Sequence, residues 1–224
     1  MKKLLITILL LLATGITFLT YAQEKTAKEY KIEGKNAADA KDFEKGYSSF
    51  VQAIKLYEAN GKTDTTLYFN AGYCALKTSK YEESLPYFSR SIELGYKSCN
   101  AMLYKANALK ELNRNTELEQ VCTQGKSSCK ENSDKFNELL FAYYLKSGLD
   151  IFNNAAKMQA DITPLAKTDA EKYKSEMVKV KAEFTKSLPM LEKAHSLIPA
   201  DENCKKALRQ AYELLEMKDK AAAL

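Results

Sequence analysis

Small, aromatic and aliphatic residues recur along this chain at helical spacing, and their order repeats. Tyr30, Gly34 and Ala37 fall on one helical face, and a second run follows with Phe43, Gly46, Phe50, Ala53 and Ile54. The same order returns in Tyr68, Gly72 and Ala75, then in Tyr81, Ser84, Phe88, Ser91 and Ile92. A third unit reads Met102, Ala106 and Leu109, then Leu118, Cys122 and Gly125, its second helix being the least regular. Gly34, Gly72, Ala106 and Leu140 occupy equivalent places at intervals of 38, 34 and 34 residues. Repetition at such a period predicts helical hairpins stacked in an array. Small residues let paired helices approach closely, and aromatics fill the groove against the next pair.

The fourth unit has a different length. Phe184, Ser187, Leu191, Ala194 and Pro199 read as its second helix, yet its first helix starts near Ser133. If Leu140 faces Ser187, the midpoint lies beside Pro164, a residue suited to a helix-to-helix turn. Thr168 with Glu171 then reads as the capping box of the return helix. The pattern predicts two long antiparallel helices, Ser133 to about Asp161 and Thr168 to about Leu197. The alternative is a turn at Ser147 and Gly148 giving two ordinary units. Against it, that turn sets bulky Phe152 opposite bulky Leu140. Beyond Pro199, Asp201 is placed to cap a last helix in which Ala207, Leu208, Ala211, Tyr212 and Leu215 share a face, with Lys205, Lys206, Arg209 and Gln210 turned outward.

These units resemble the tetratricopeptide repeat (TPR) family, whose hairpins carry an aromatic, a glycine and a tyrosine on the first helix and a small residue, an aromatic and an alanine on the second. The segment from Ser187 to Lys218 is similar to the closing part of exported bacterial TPR proteins. The resemblance implies an all-α, right-handed superhelical solenoid of antiparallel helix pairs with one elongated hairpin. The expected divisions are a leader over 1–22, three repeats over 23–132, the long hairpin over 133–199, and a capping helix with its tail over 200–224. It also implies a concave groove lined by Lys31, Lys35, Phe69, Asn70, Tyr73, Leu103, Asn107, Lys110, Asn137, Phe141 and Tyr144. The last three can equally pack against the long hairpin. Some members hold terminal carboxylates in a clamp. The matching positions here carry Lys31, Lys35, Asn70, Asn100 and Tyr104, of which only Lys31 and Asn70 agree in type, so a clamp is not expected.

The amino terminus adds a location. Lys2 and Lys3 precede an uncharged stretch from Leu4 to Leu19 and the triplet Thr20, Tyr21, Ala22. That is the form of a secretory leader, and the stretch is shorter than the roughly 20 residues that span a bilayer. Cleavage between Ala22 and Gln23 is expected to leave a periplasmic or secreted protein with no integral membrane segment. Removing Lys2 and Lys3 from the formal charge of +5 leaves +3, with no block of five like charges, so nucleic acid is not an expected partner.

Candidate chemistry is sparse. The single histidine, His195, has no companion for metal binding or for a catalytic triad, and the eight glycines form no phosphate-cradling loop. No metal, cofactor or enzymatic activity is expected. The five cysteines allow two disulfides or buried thiols. Cys99 and Cys129, at the two ends of one hairpin, are the favoured pair. The expected function is a protein-binding scaffold of the envelope. The rival is an accessory module that binds peptide or glycan fragments for an envelope enzyme or uptake system.

Overall fold

The computed structural model describes residues 25–224, so the expected leader lies outside the described residues. Among the described residues there is no strand. The helices are α1 (Ala27–Asp39), α2 (Phe43–Ala59), α3 (Thr65–Lys77), α4 (Tyr81–Glu93), α5 (Ser98–Glu111) and α6 (Asn115–Ser128). A 3₁₀ turn (Lys130–Asn132) leads to α7 (Ser133–Ile162), the short α8 (Leu165–Thr168), α9 (Ala170–Leu197), α10 (Glu202–Leu214) and α11 (Lys218–Ala222). Each of α1 to α6 packs on the next, α7 packs on α9, and α3, α5 and α7 also touch one after another. The result is an all-α array of stacked hairpins.

The sequence repeat is written into the backbone. Lys41, Ser79 and Asn113, spaced like the repeats, all adopt positive φ (64°, 59° and 55°) at the hairpin turns. In each case the next amide reaches back to the preceding helix: Asp42 to Ala37, Lys80 to Ala75 and Arg114 to Leu109, all at 2.9 Å. This left-handed closure satisfies carbonyls that the helix end leaves open and sends the chain back antiparallel.

Close packing uses the glycines. A Cβ on Gly34 would stand 2.8 Å from the Phe50 ring, and one on Gly72 would stand 2.9 Å from the Phe88 ring. Phe50 and Phe88 are 1% and 0% exposed, so neither ring has room to retreat. At the same separation the third hairpin carries Ala106 and Cys122, both fully buried. A larger small residue and a smaller large one fill a similar space, so this hairpin forms despite its irregular sequence.

Where the array begins, its packing positions turn polar. Leu67, Ala71 and Cys74 of α3 are fully buried, whereas the equivalent residues of α1 are Glu29, Glu33 and Asn36. Among the described residues no hairpin covers that face of α1, where Glu29 and Asn36 are exposed, and polar residues suit the open face of a repeat. Thr26 and Glu29 close its start as a reciprocal capping box.

The fourth hairpin is long, and its helix runs through Ser147 and Gly148 without a turn. Gly148 is instead a contact point: its Cβ would stand 2.7 Å from Leu191. Phe152 meets Phe184 edge-on, with ring centroids 5.1 Å apart. The turn between Ile162 and Ala170 holds Pro164 as expected, although these pairs centre the hairpin nearer residues 168–170 than the midpoint inferred from Leu140 and Ser187. The capping expectation is corrected. Thr168 donates its hydroxyl to the Pro164 carbonyl, and the Asp169 carboxylate accepts from the Lys172 amide at 3.0 Å to start α9. A carboxylate at the positive end of a helix outcompetes a hydroxyl already engaged by the turn behind it.

At the far end, the Asp201 side chain accepts from the Cys204 amide, and α10 buries Ala207, Leu208, Ala211 and Tyr212. Lys206, Arg209 and Gln210 are exposed. Cys99 and Cys129 are joined in a disulfide with Cα atoms 5.5 Å apart, while Cys74, Cys122 and Cys204 are free and buried.

Candidate functional site

The first helices of the hairpins, α1, α3, α5 and α7, carry the residues assigned to a groove. In α1 and α3 most of them are occupied within the chain. Lys31 pairs with Asp64, and Lys35 lies 3.6 Å from Asp39. Phe69 is only 7% exposed, surrounded by Phe88, Tyr96 and Tyr104. Tyr73 sits between Phe43 and Tyr104, with ring centroids 5.9 and 5.4 Å away, and the Lys77 ammonium lies 5.4 Å from its ring. Asn70 is half-buried. Aromatic edges and faces attract each other, so this belt ties three hairpins together. Phe69 is thus corrected from a groove residue to a packing one.

Farther along, the array opens. Positions buried in the second and third hairpins are left uncovered in the fourth. Ala101 and Ala108 of α5 are fully buried, but their equivalents one interval on, Lys135 and Ala142 of α7, are exposed. Two cavities result. One of about 340 Å³ is lined by Leu103, Asn107 and Lys110 of α5 and by Lys135, Glu138, Leu139 and Ala142 of α7. The other, of about 330 Å³, is lined by Lys110, Glu111, Asn113, Asn115, Leu118, Ala142, Tyr143, Lys146 and Ser147. Lys110 and Ala142 belong to both, so the two form one crevice along α7.

Three of the residues assigned from sequence, Leu103, Asn107 and Lys110, therefore line a single crevice. The Asn107 amide donates to the Leu103 carbonyl at 2.9 Å, which fixes its orientation on the wall. The α7 trio falls elsewhere. Tyr144 is 6% exposed and donates its hydroxyl to Glu119 at 2.5 Å, Phe141 packs half-buried against the core, and the Asn137 side-chain oxygen is buried without a partner. Their packing is the alternative that the sequence left open: Phe136, Leu140, Tyr144 and Gly148 are buried at four-residue spacing along α7. Lys135, Glu138, Leu139, Ala142, Tyr143 and Lys146 were missed. Carrying Ala101 and Ala108 forward by 34 residues would have located Lys135 and Ala142.

The crevice is lined by apolar, amide and charged side chains. Among the described residues no cluster of His, Cys, Asp or Glu could hold a metal ion. Burial pushes the Cys74 and Cys204 thiols up to about 11 and Cys122 up to about 12, so all three stay protonated at neutral pH, and a protonated thiol is a poor nucleophile. His195 is half-buried, with its Nδ1 unpartnered. No helix among the described residues is long and apolar enough to cross a membrane.

No family model matches the chain, and no curated protein does. Among solved structures it is similar to a TPR repeat protein from Bacteroides fragilis, at 23% identity over 85% of this chain and 98% of that one, with a TM-score of 0.45. A tetratricopeptide repeat protein from Parabacteroides merdae is 16% identical over 88% of this chain and 76% of the other, with a TM-score of 0.44. The TPR2AB domain of yeast Sti1, in a complex with pHSP90, is 14% identical over 87% and 89%, with a TM-score of 0.41.

Proposed function

We propose that this protein is a TPR-type adaptor of the bacterial envelope that holds a protein partner in the crevice between α5 and α7. The observation that carries the reading is the exposure of Lys135 and Ala142 where the preceding hairpin buries Ala101 and Ala108. A stacked array closes such positions unless something else covers them. Leu103 and Leu139 give the crevice apolar walls, and Asn107 and Lys110 add polar groups that fix an orientation. The test is site-specific photocrosslinking in the native cell. A crosslinker at Asn107 is expected to trap one discrete protein, while a crosslinker at Gln52, exposed on α2, does not. Equal trapping at both positions would remove the crevice from consideration.

Export is part of the same proposal and rests on the leader-like residues Met1 to Ala22. N-terminal sequencing of the protein from its native cell is expected to begin at Gln23. Recovery of an intact Met1 on a membrane-bound protein would make the segment an anchor instead.

A further inference from the structure

The crevice has a chemistry as well as a shape, and naming its occupant rests on the proposal that the α5/α7 face binds the partner. The α7 wall runs from Lys135 to Ser147, which at 1.5 Å per residue is about 18 Å long. Extended chain rises about 3.3 Å per residue, so roughly five residues of a partner fit along it. Leu103 and Leu139 form an apolar stretch toward one end, and the half-buried Tyr143 forms another toward the other. Between them, where the two cavities meet, stands Lys110.

The charges are arranged around that centre. Lys146 is held by Asp150 at 3.0 Å. Lys110 and Lys135 have no carboxylate in ion-pair range among the described residues, although Glu111 and Glu138 lie on the same rims. A segment laid along the crevice covers Lys110 from solvent on its apolar flanks. An ammonium so covered is costly unless it gains an opposite charge. A basic residue at that point adds repulsion to the desolvation.

We infer that the occupant is a short extended segment of a protein partner with a carboxylate side chain at its centre and apolar side chains on both sides. The carboxylate meets Lys110, and the apolar groups settle beside Leu139 and Tyr143. Lys135 supports the same sign of charge at the open end.

The test uses three fluorescein-labelled peptides in anisotropy titrations against the mature protein: alternating leucine and glutamate, the same with lysine for glutamate, and the same with glutamine. The glutamate peptide is expected to bind most tightly and to weaken with added salt. Lys110→Glu, at an exposed position, is expected to cut that affinity at least about tenfold with an unchanged circular dichroism spectrum. Equal binding of the lysine or glutamine peptide overturns the acidic assignment, as does binding that Lys110→Glu leaves unchanged, or no binding of any peptide. The crosslink at Asn107 reads the crevice independently, so a wrong charge class and a wrong crevice give different results.

Discussion

Tyr144 on α7 donates its hydroxyl to Glu119 on α6 at 2.5 Å, and Lys193 of α9 approaches the same carboxylate at 3.0 Å while lying 4.8 Å from the tyrosine ring. The device recurs. Tyr212 of α10 donates to Glu192 of α9 at 2.6 Å, with Lys220 at 2.9 Å from that carboxylate and 5.3 Å from that ring. Tyr68 of α3 donates to Glu58 of α2 at 2.7 Å. Each time a buried tyrosine reaches back to a glutamate on the helix before it, so the stack is joined by a charged hydrogen bond as well as by apolar contact.

The pH response follows from these staples. The Tyr144 hydroxyl and then Lys193 hold the Glu119 carboxyl below its usual range, as Tyr212 and then Lys220 hold Glu192. A depressed carboxylate contributes stability above its unfolded pKa of about 4.3 and loses it as pH falls through the folded value. Burial, then the Glu119 and Glu192 carboxylates, push the two tyrosines up. Their contribution is present below an unfolded value of about 10 and is lost as pH rises beyond it. Urea unfolding is thus expected to give a plateau at neutral pH that falls on both sides. Tyr144→Phe should cost about 1 kcal/mol on that plateau, and the difference from wild type should shrink below about pH 4.

The disulfide makes a separable contribution. Cys99 and Cys129 lie 30 residues apart, and their bond encloses the third hairpin. A crosslink of that span removes unfolded-chain entropy worth about 3.6 kcal/mol. Replacing both by serine is expected to lower unfolding stability by about that much, measured by urea titration. Thiol titration of the wild-type protein should find Cys74, Cys122 and Cys204 in denaturant and no reactive thiol in the native state. Five thiols in denaturant without reductant would show that the bond is absent.

How much of this could be read in advance depends on what sets each feature. The hairpins were legible because helix approach demands small residues, and Gly34 and Gly72 stand at a fixed separation from Phe50 and Phe88. The long α7 was legible through Phe152, whose bulk excludes an early turn. The opening over Lys135 and Ala142 was not: their equivalents Ala101 and Ala108 are buried, and α7 packs instead through contacts far away in sequence, such as Gly148 on Leu191. Nor could the belt of Phe69, Tyr73 and Tyr104 be separated from a groove by spacing alone, because aromatics suit both environments.

Gly148 tests the long hairpin directly. A Cβ there would stand 2.7 Å from the Leu191 side chain and 3.1 Å from its backbone nitrogen, and Leu191 is fully buried. Gly148→Ala improves helix propensity by about 1 kcal/mol, but overpacking costs about 1–3 kcal/mol. Backbone on the opposing side cannot yield as a side-chain tip can, so a net loss is expected in urea unfolding. A stabilised Gly148→Ala would mean that α7 and α9 do not meet at this point.

Core and crevice should respond oppositely to substitution, and the contrast separates folding from binding. Phe88 is fully buried, fills the space that Gly72 leaves, and touches Phe69 and Tyr104 at centroid distances of 6.3 and 5.9 Å. Phe88→Ala removes a ring that its neighbours cannot replace, at about 3–5 kcal/mol. Each hairpin of an array contacts only its neighbours, so amide exchange should rise first in α3, α4 and α5 and least in α10. Asn107 is half-buried, and its amide bonds only to the Leu103 carbonyl one turn back. Asn107→Ala leaves that carbonyl its helical partner, so stability should change by about 0.5 kcal/mol or less. Partner crosslinking from a probe placed at Lys135 should nevertheless fall. If Asn107→Ala unfolds the array as Phe88→Ala does, Asn107 is structural; if it stays folded and crosslinking is unchanged, the partner does not use the α5 wall.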